Sequence, residues 1–343
     1  MNAGVAWGRP CPPPLPGSGP ALGPPPPFDR ELQEPLQAIL ASIEHPLTAD
    51  LIPDRRARTL AGRLTDEEIR RGGAFEFEEL TVPGPAGAPT IPAIICRPTA
   101  VPAPHAVIYN CHGGGMVAGD NRTAELASQL DLAESLRLAV LAVNYRLAPE
   151  HPDPAPVEDC YAGLVWLSRD GAEAGLDPGR VVISGNSAGG ALAAGVCLLS
   201  RDRGGPRVLG QLLECPMLND RCDSASARQL ENAGLWDGRS NRTGWTALLG
   251  DRQATSEVSC YAAPARATDL SGLPPAFIDV GSVEALRDDA IGYATSIWRA
   301  GGQAELHVWS GAFHSFDQWV PEALASRSAK AARISWLRRL LAS

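Results

Sequence analysis

The sequence predicts an α/β protein, a mostly parallel eight-stranded sheet with helices on both faces. Three observations carry this expectation. From residue 106 onward, short apolar runs alternate with helical stretches, the rhythm of parallel strands joined by crossover helices. Ahead of that region, Phe75–Val82 alternates in polarity and Ile91–Arg97 returns after a turn rich in proline and glycine, which reads as an antiparallel pair at a sheet edge. The chain of 343 residues is 44% apolar and 20% charged. That is enough to bury a large core, and no apolar run approaches the ~18 residues a membrane-spanning helix needs.

Taken in order, residues 1–27 hold ten prolines and cannot build a core, so they are expected to form a disordered tail. Pro13 to Pro16 satisfies P-x-x-P, a match close to inevitable in such a tail. Residues 28–72 are helical by periodicity, with Leu32, Leu36, Leu40 and Ile43 on three- and four-residue steps. Six further strands are expected at 106–111, 138–145, 181–184, 210–215, 277–280 and 305–309. Helices are expected at 123–136, 157–169, 188–202, 288–300 and 321–341. Between 219 and 267 the alternation lapses into a polar stretch carrying Trp236 and Trp245, which reads as an insertion. With the N-terminal helices it could form a lid over a catalytic domain spanning 73–343.

Composition narrows the function. The 30 basic and 39 acidic residues leave a net charge of −9 without long runs of either sign, so neither nucleic acid nor an anionic membrane is an expected partner. The only lysine is Lys330. Walker-type phosphate loops, pyridoxal Schiff bases and Ser-Lys dyads all need a well-placed lysine, and none is available. The eight cysteines form no C-x-x-C pair, so no structural zinc is expected, and no organic cofactor is implied. The N-terminus shows no charged segment followed by an apolar one, which points to the cytoplasm.

Gly185-Asn186-Ser187-Ala188-Gly189 has the form G-x-S-x-G. Alone the pattern is weak, and a tight strand-to-helix turn that happens to carry a serine would also satisfy it. The context is more specific: a buried-strand run precedes it and a helix of small residues follows, as a strained nucleophile turn requires. A serine hydrolase also needs N–H groups aimed at a developing oxyanion. His112-Gly113-Gly114-Gly115 follows a strand and could supply them. The competing reading of Gly113, Gly115 and Ala118 as a dinucleotide fingerprint requires an acid at the end of the next strand, which instead ends Val143-Asn144-Tyr145.

Of six histidines, His314 alone lies in a loop just after the last expected strand, on the sheet edge that Ser187 shares. The orienting acid should follow the preceding strand, where Glu284, Asp288 and Asp289 are available. The two aspartates look like caps of the next helix, and Glu284, nearer the strand end, is preferred. Met116, Trp236, Trp245, Phe313 and Phe316 could line a substrate pocket, although each also reads as plain core.

These residues fall in the order of a known family. The chain resembles the bacterial hormone-sensitive-lipase-like carboxylesterases of the α/β-hydrolase fold from about residue 106 onward. The resemblance rests on His112 to Gly115 with Gly119 and Asp120, on Tyr145-Arg146-Leu147-Ala148-Pro149-Glu150-His151-Pro152, on the turn Gly185 to Gly190, and on Glu284 to His314. It implies an oxyanion hole from the N–H groups of Gly113, Gly114 and Ala188, and a cap built from 28–72 and 219–267. It also implies short-to-medium acyl esters as small-molecule substrates and frequent homodimers. Three positions depart from the family's pattern: Asn186 where aspartate or threonine is usual, Glu284 where aspartate is usual, and Ser315 where glycine is usual. The expected activity is serine carboxylester hydrolysis. Amides, lactones or carbamates would be served by the same three groups, and a non-catalytic receptor on this scaffold would be expected to lack the histidine.

Overall fold

The computed structural model describes residues 22–342, so the first part of the proline-rich tail, with Pro13 to Pro16, lies outside the described residues. Eight strands form one sheet: β1 (Phe75–Val82), β2 (Ile91–Pro98), β3 (His105–Cys111), β4 (Ala139–Val143), β5 (Leu176–Asn186), β6 (Gly210–Glu214), β7 (Ala276–Gly281) and β8 (Ala304–Trp309). Their order is β1-β2-β4-β3-β5-β6-β7-β8. The edge pair β1–β2 and the step from β2 to β4 are antiparallel, and every other pairing is parallel. Strands β3, β4, β6 and β7 are buried along their whole length, as a sheet covered on both faces demands.

The helices are α1 (Arg30–Ser42), α2 (Ile52–Ala61), α3 (Asp66–Arg70), α4 (Ala124–Leu136), α5 (Ala155–Asp170), α6 (Ala188–Asp202), α7 (Ala225–Gln229), α8 (Gly238–Leu249), α9 (Arg287–Arg299), α10 (Phe316–Trp319) and α11 (Leu324–Ala342). Neighbouring strand residues point to opposite faces, and the two largest apolar clusters divide accordingly. Val107, Tyr109, Leu141, Ile183 and Ile278 pack with Leu164 of α5, Leu192 of α6 and Ile297 of α9. Ile108, Val140, Val182, Leu212 and Phe277 pack with Leu126 of α4 and Trp336 of α11.

Two boundaries differ from the sequence expectation by three residues or more. Strand β5 begins at Leu176 rather than Val181, because His105 pairs with Leu176 across an irregularity in the ladder that apolar patterning does not reveal. The C-terminal helix begins at Leu324 rather than Pro321, since the chain turns at 321–323 and the Leu324 N–H is capped by the Glu31 carboxylate at 2.8 Å.

Strand order reverses between β4, β3 and β5, so the loops leaving β3 and β5 emerge side by side, with Cys111 paired to Gly185. Such a switch point opens a crevice at the carboxyl ends of the strands. The sheet is braced from below by Arg333 of α11, buried between three carboxylates: Glu214 ending β6 at 2.8 Å, Asp279 of β7 at 2.8 Å, and Asp317. Removing the guanidinium would leave three acids buried with no counter-charge. Arg333→Leu is expected to destabilise the fold by about 3–5 kcal/mol in urea unfolding, and a loss below about 1 kcal/mol would show that the network is dispensable.

Candidate active site

Ser187 sits between β5 and α6 with φ 58° and ψ −119°, a conformation in which a non-glycine residue is strained. The surrounding chain holds it there: its N–H donates to Glu214 O at 2.8 Å, and its own carbonyl accepts from Met217 N–H at 2.9 Å. The turn fits only because its neighbours are small. A Cβ on Gly189 would lie 1.9 Å from the carbonyl oxygen of Cys111, so β3 and the first turn of α6 could not approach as they do.

The strained turn aims the Ser187 hydroxyl at the imidazole of His314, with Oγ and Nε2 2.9 Å apart. His314 Nδ1 lies 2.6 Å from Oε1 of Glu284, whose Oε2 accepts the N–H of Gly281 at 3.0 Å. All three side chains are buried. Asp288 is turned elsewhere: it accepts the Ser226 N–H at 2.8 Å and pairs with Arg287. The loop carrying His314 is clamped by its flanking aromatics, Phe313 and Phe316, which pack under Leu32 and Leu36 of α1.

Two of the residues that depart from the family pattern meet here. Ser315 Oγ donates to Asn186 Oδ1 at 3.0 Å, tying the His314 loop to the Ser187 turn, while Asn186 Nδ2 donates to Cys215 Sγ at 3.2 Å. Cys215, Glu284 and His314 bring possible metal-ligand atoms within 4.8 Å of one another. The donors suit a metal poorly, because His314 and Glu284 already share a hydrogen bond and burial, reinforced by Glu284, pushes the Cys215 thiol well up.

On the other side of Ser187, His112 to Gly115 turns back beneath the cavity with Gly114 at φ 112°. His112 Nδ1 lies 2.8 Å from the Gly113 carbonyl, its ring stacks on Tyr145, and its own carbonyl accepts the Tyr145 hydroxyl at 2.8 Å. Burial pulls its pKa down to about 4, so the ring acts as a neutral brace. Gly113 is tethered to α4. Its N–H is directed at Glu125 Oε2, 2.5 Å away, while Glu125 Oε1 accepts the N–H of Asn186 at 3.1 Å. One carboxyl from α4 therefore links the glycine loop to the Ser187 turn. The N–H groups of Gly114, Gly115 and Ala188 carry no partner among the described residues. Glu125 is the group that sequence reasoning missed, since nothing in an amphipathic helix marks one glutamate as turned inward.

The pattern of an α/β-hydrolase fold family matches residues 108–318 of the chain. The chain belongs to the hormone-sensitive-lipase-like α/β-hydrolases. It is 37% identical over 246 residues to the carboxylic ester hydrolase LipN of Mycobacterium tuberculosis, covering 70% of this chain and 64% of LipN. It is 34% identical over 273 residues to the carboxylesterase NlhH of the same organism, covering 78% of this chain and 83% of NlhH. Among solved structures it is similar to a bacterial heroin esterase, with a TM-score of 0.83 and 35% identity over 91% of this chain and 99% of that one.

In this α/β-hydrolase Ser187 and His314 open onto a cavity of about 180 Å³. Trp236 lines it, held by its Nε1 donating to Asn241 Oδ1 at 3.2 Å. The other aromatic and thioether candidates do not line this cavity. Met116 and Trp245 are packed into the main core, and Phe313 and Phe316 face α1. Their places are taken by Leu47, Arg55 and Thr59 from the N-terminal segment and by Gln318 and Trp319 after the histidine, positions with no local sequence signal.

Burial, aided by nearby Glu214, raises the Glu125 carboxyl to about 8 against the pull of its N–H partners. Between its ordinary 4.5 and about 8, the folded chain keeps a proton that the unfolded chain has released, so this group lowers stability as pH rises through that window. Urea unfolding of Glu125→Gln is expected to fall less steeply than the parent between about pH 5 and 8. Glu125→Ala, which strands two buried N–H donors, should cost about 2–4 kcal/mol.

Proposed function

We propose that the chain is a serine carboxylester hydrolase working through an acyl-enzyme. The observation that carries this reading is the chain of short contacts from Ser187 Oγ through His314 to Glu284 beside an open cavity. Ser187 Oγ attacks the acyl carbon while His314 Nε2 takes its proton. Glu284 holds the imidazole with Nε2 free to accept, and stabilises the imidazolium that forms. The oxyanion develops where N–H groups without a partner point, which favours Gly114 and Ala188 with Gly115, and leaves Gly113 to hold the loop. The imidazolium then protonates the leaving alcohol, and water, deprotonated by the same imidazole, releases the acid.

The modest cavity supports short-to-medium acyl chains, and segments 28–72 and 219–267 together form its cap. They are joined across it, the Leu47 N–H donating to Ser240 Oγ at 3.0 Å and Thr243 Oγ1 to the Leu47 carbonyl at 2.9 Å. The imidazole within hydrogen-bond reach of Ser187 speaks against a receptor that has lost its catalytic base. The half-buried edge strand β8 leaves a surface through which a homodimer would form.

The purified protein is expected to release nitrophenol from 4-nitrophenyl acetate and butyrate, and Ser187→Ala to lower kcat/KM by about four orders of magnitude or more with folding intact. Equal rates in parent and variant would overturn the mechanism. Glu284→Gln should lose about 10³–10⁴ in kcat, whereas Asp288→Asn should lose far less, and a larger loss in the second would move the acid to Asp288.

A further inference from the structure

We propose that the preferred ester carries a carboxylate, received in the active-site cavity by the guanidinium of Arg55 with the amide of Gln318 donating beside it. The inference rests on the esterase reading and extends it to a substrate class.

Arg55 stands on α2 and shares the cavity with Ser187 and His314. Among the described residues no carboxylate lies within ion-pair distance of it, and its buried Nε has no hydrogen-bond partner. Three other arginines of the N-terminal segment are paired. Arg56 grips Glu150 with both terminal nitrogens at 2.7 Å, Arg63 pairs with Asp120 at 3.0 Å, and Arg71 pairs with Asp131 and Glu134. In a chain with nine more acids than bases, an arginine left half-buried without an acid is conspicuous. Its surroundings disfavour the charge, through burial first and Arg58 second, yet a guanidinium remains protonated throughout the working range.

A charge held in such a place implies an absent partner, because a guanidinium removed from water is costly until a counter-ion or acceptor completes it. Arg56 fixes the same turn of α2, its Nε donating to Val117 O at 2.6 Å and its Nη2 to Ala148 O at 2.7 Å. In the lining of the same cavity Gln318 Nε2 is likewise buried without a partner. Two donor groups from elements far apart in sequence thus face one space with no acceptor. A carboxylate, planar and offering two oxygens, matches the guanidinium fork. Because the ester carbonyl must lie at Ser187, this second carboxylate sits on the remote part of the acyl chain or on the leaving alcohol.

The test compares two isosteric pairs. In the acyl arm, mono-4-nitrophenyl glutarate is set against its neutral amide, 4-nitrophenyl glutaramate. In the alcohol arm, 4-acetoxybenzoate is set against 4-acetoxybenzamide. The readout is the ratio of kcat/KM for the anionic ester to that for its neutral partner, in the parent and in Arg55→Met, with Arg55→Gln as the substitute should the first not fold. In at least one arm the ratio is expected to fall about tenfold or more on losing the guanidinium, and the arm that responds shows which side carries the carboxylate. Ratios that agree within about twofold in both arms, with Ser187-dependent cleavage of the neutral esters intact, would overturn this inference and leave the esterase reading standing. Absence of Ser187-dependent cleavage of all four esters would overturn both.

Discussion

The architecture of the site depends on how closely β3 and β5 approach at their carboxyl ends. Cys111 is paired with Gly185, and the space between the Cys111 carbonyl and the first turn of α6 admits only a hydrogen at residue 189. That contact brings the glycine loop after β3 against the serine turn after β5. It also forces Ser187 into its strained conformation, since the chain must reverse from strand to helix within two residues. The strain is supported by hydrogen bonds to Glu214 and Met217, so it is held by the sheet and by the loop after β6 rather than by the turn itself.

Around this contact the protein buries more carboxyl groups than is usual for an interior, and each has a definite counterpart. Glu284 is matched by an imidazole, Glu214 and Asp279 by Arg333, and Glu125 by two main-chain N–H groups. Glu125 is the instructive case. A carboxyl pushed up to about 8 is largely neutral in the middle pH range, so it can orient the glycine loop without placing a full negative charge beside Ser187.

The departures from the family pattern gain a physical meaning once they are seen together. Asn186 offers an amide oxygen where an aspartate or threonine is usual, and Ser315 offers a hydroxyl where a glycine is usual, and the two are joined at 3.0 Å. Ser315 adopts a left-handed φ of 55°, the conformation for which glycine is normally chosen. Its hydrogen bond to Asn186 helps to offset that cost while fastening the His314 loop to the Ser187 turn.

Much of this was legible in the residue order. The alternation of apolar runs and helical periods determined the αβ layering, because a strand buried on both faces and a helix buried on one leave different periodicities. Ser187, His314 and Glu284 could be named because each lies just past a strand end, where a parallel sheet gathers its loops. What the order of residues could not decide was the direction of individual side chains. That Gly113 gives its N–H to Glu125, that Met116, Trp245, Phe313 and Phe316 turn into packed interior, and that Arg55 and Gln318 look into the cavity all depend on which face of an element meets which neighbour. Those choices arise from contacts between segments tens to hundreds of residues apart. Local patterning carries no record of such contacts, and only the folded chain resolves them.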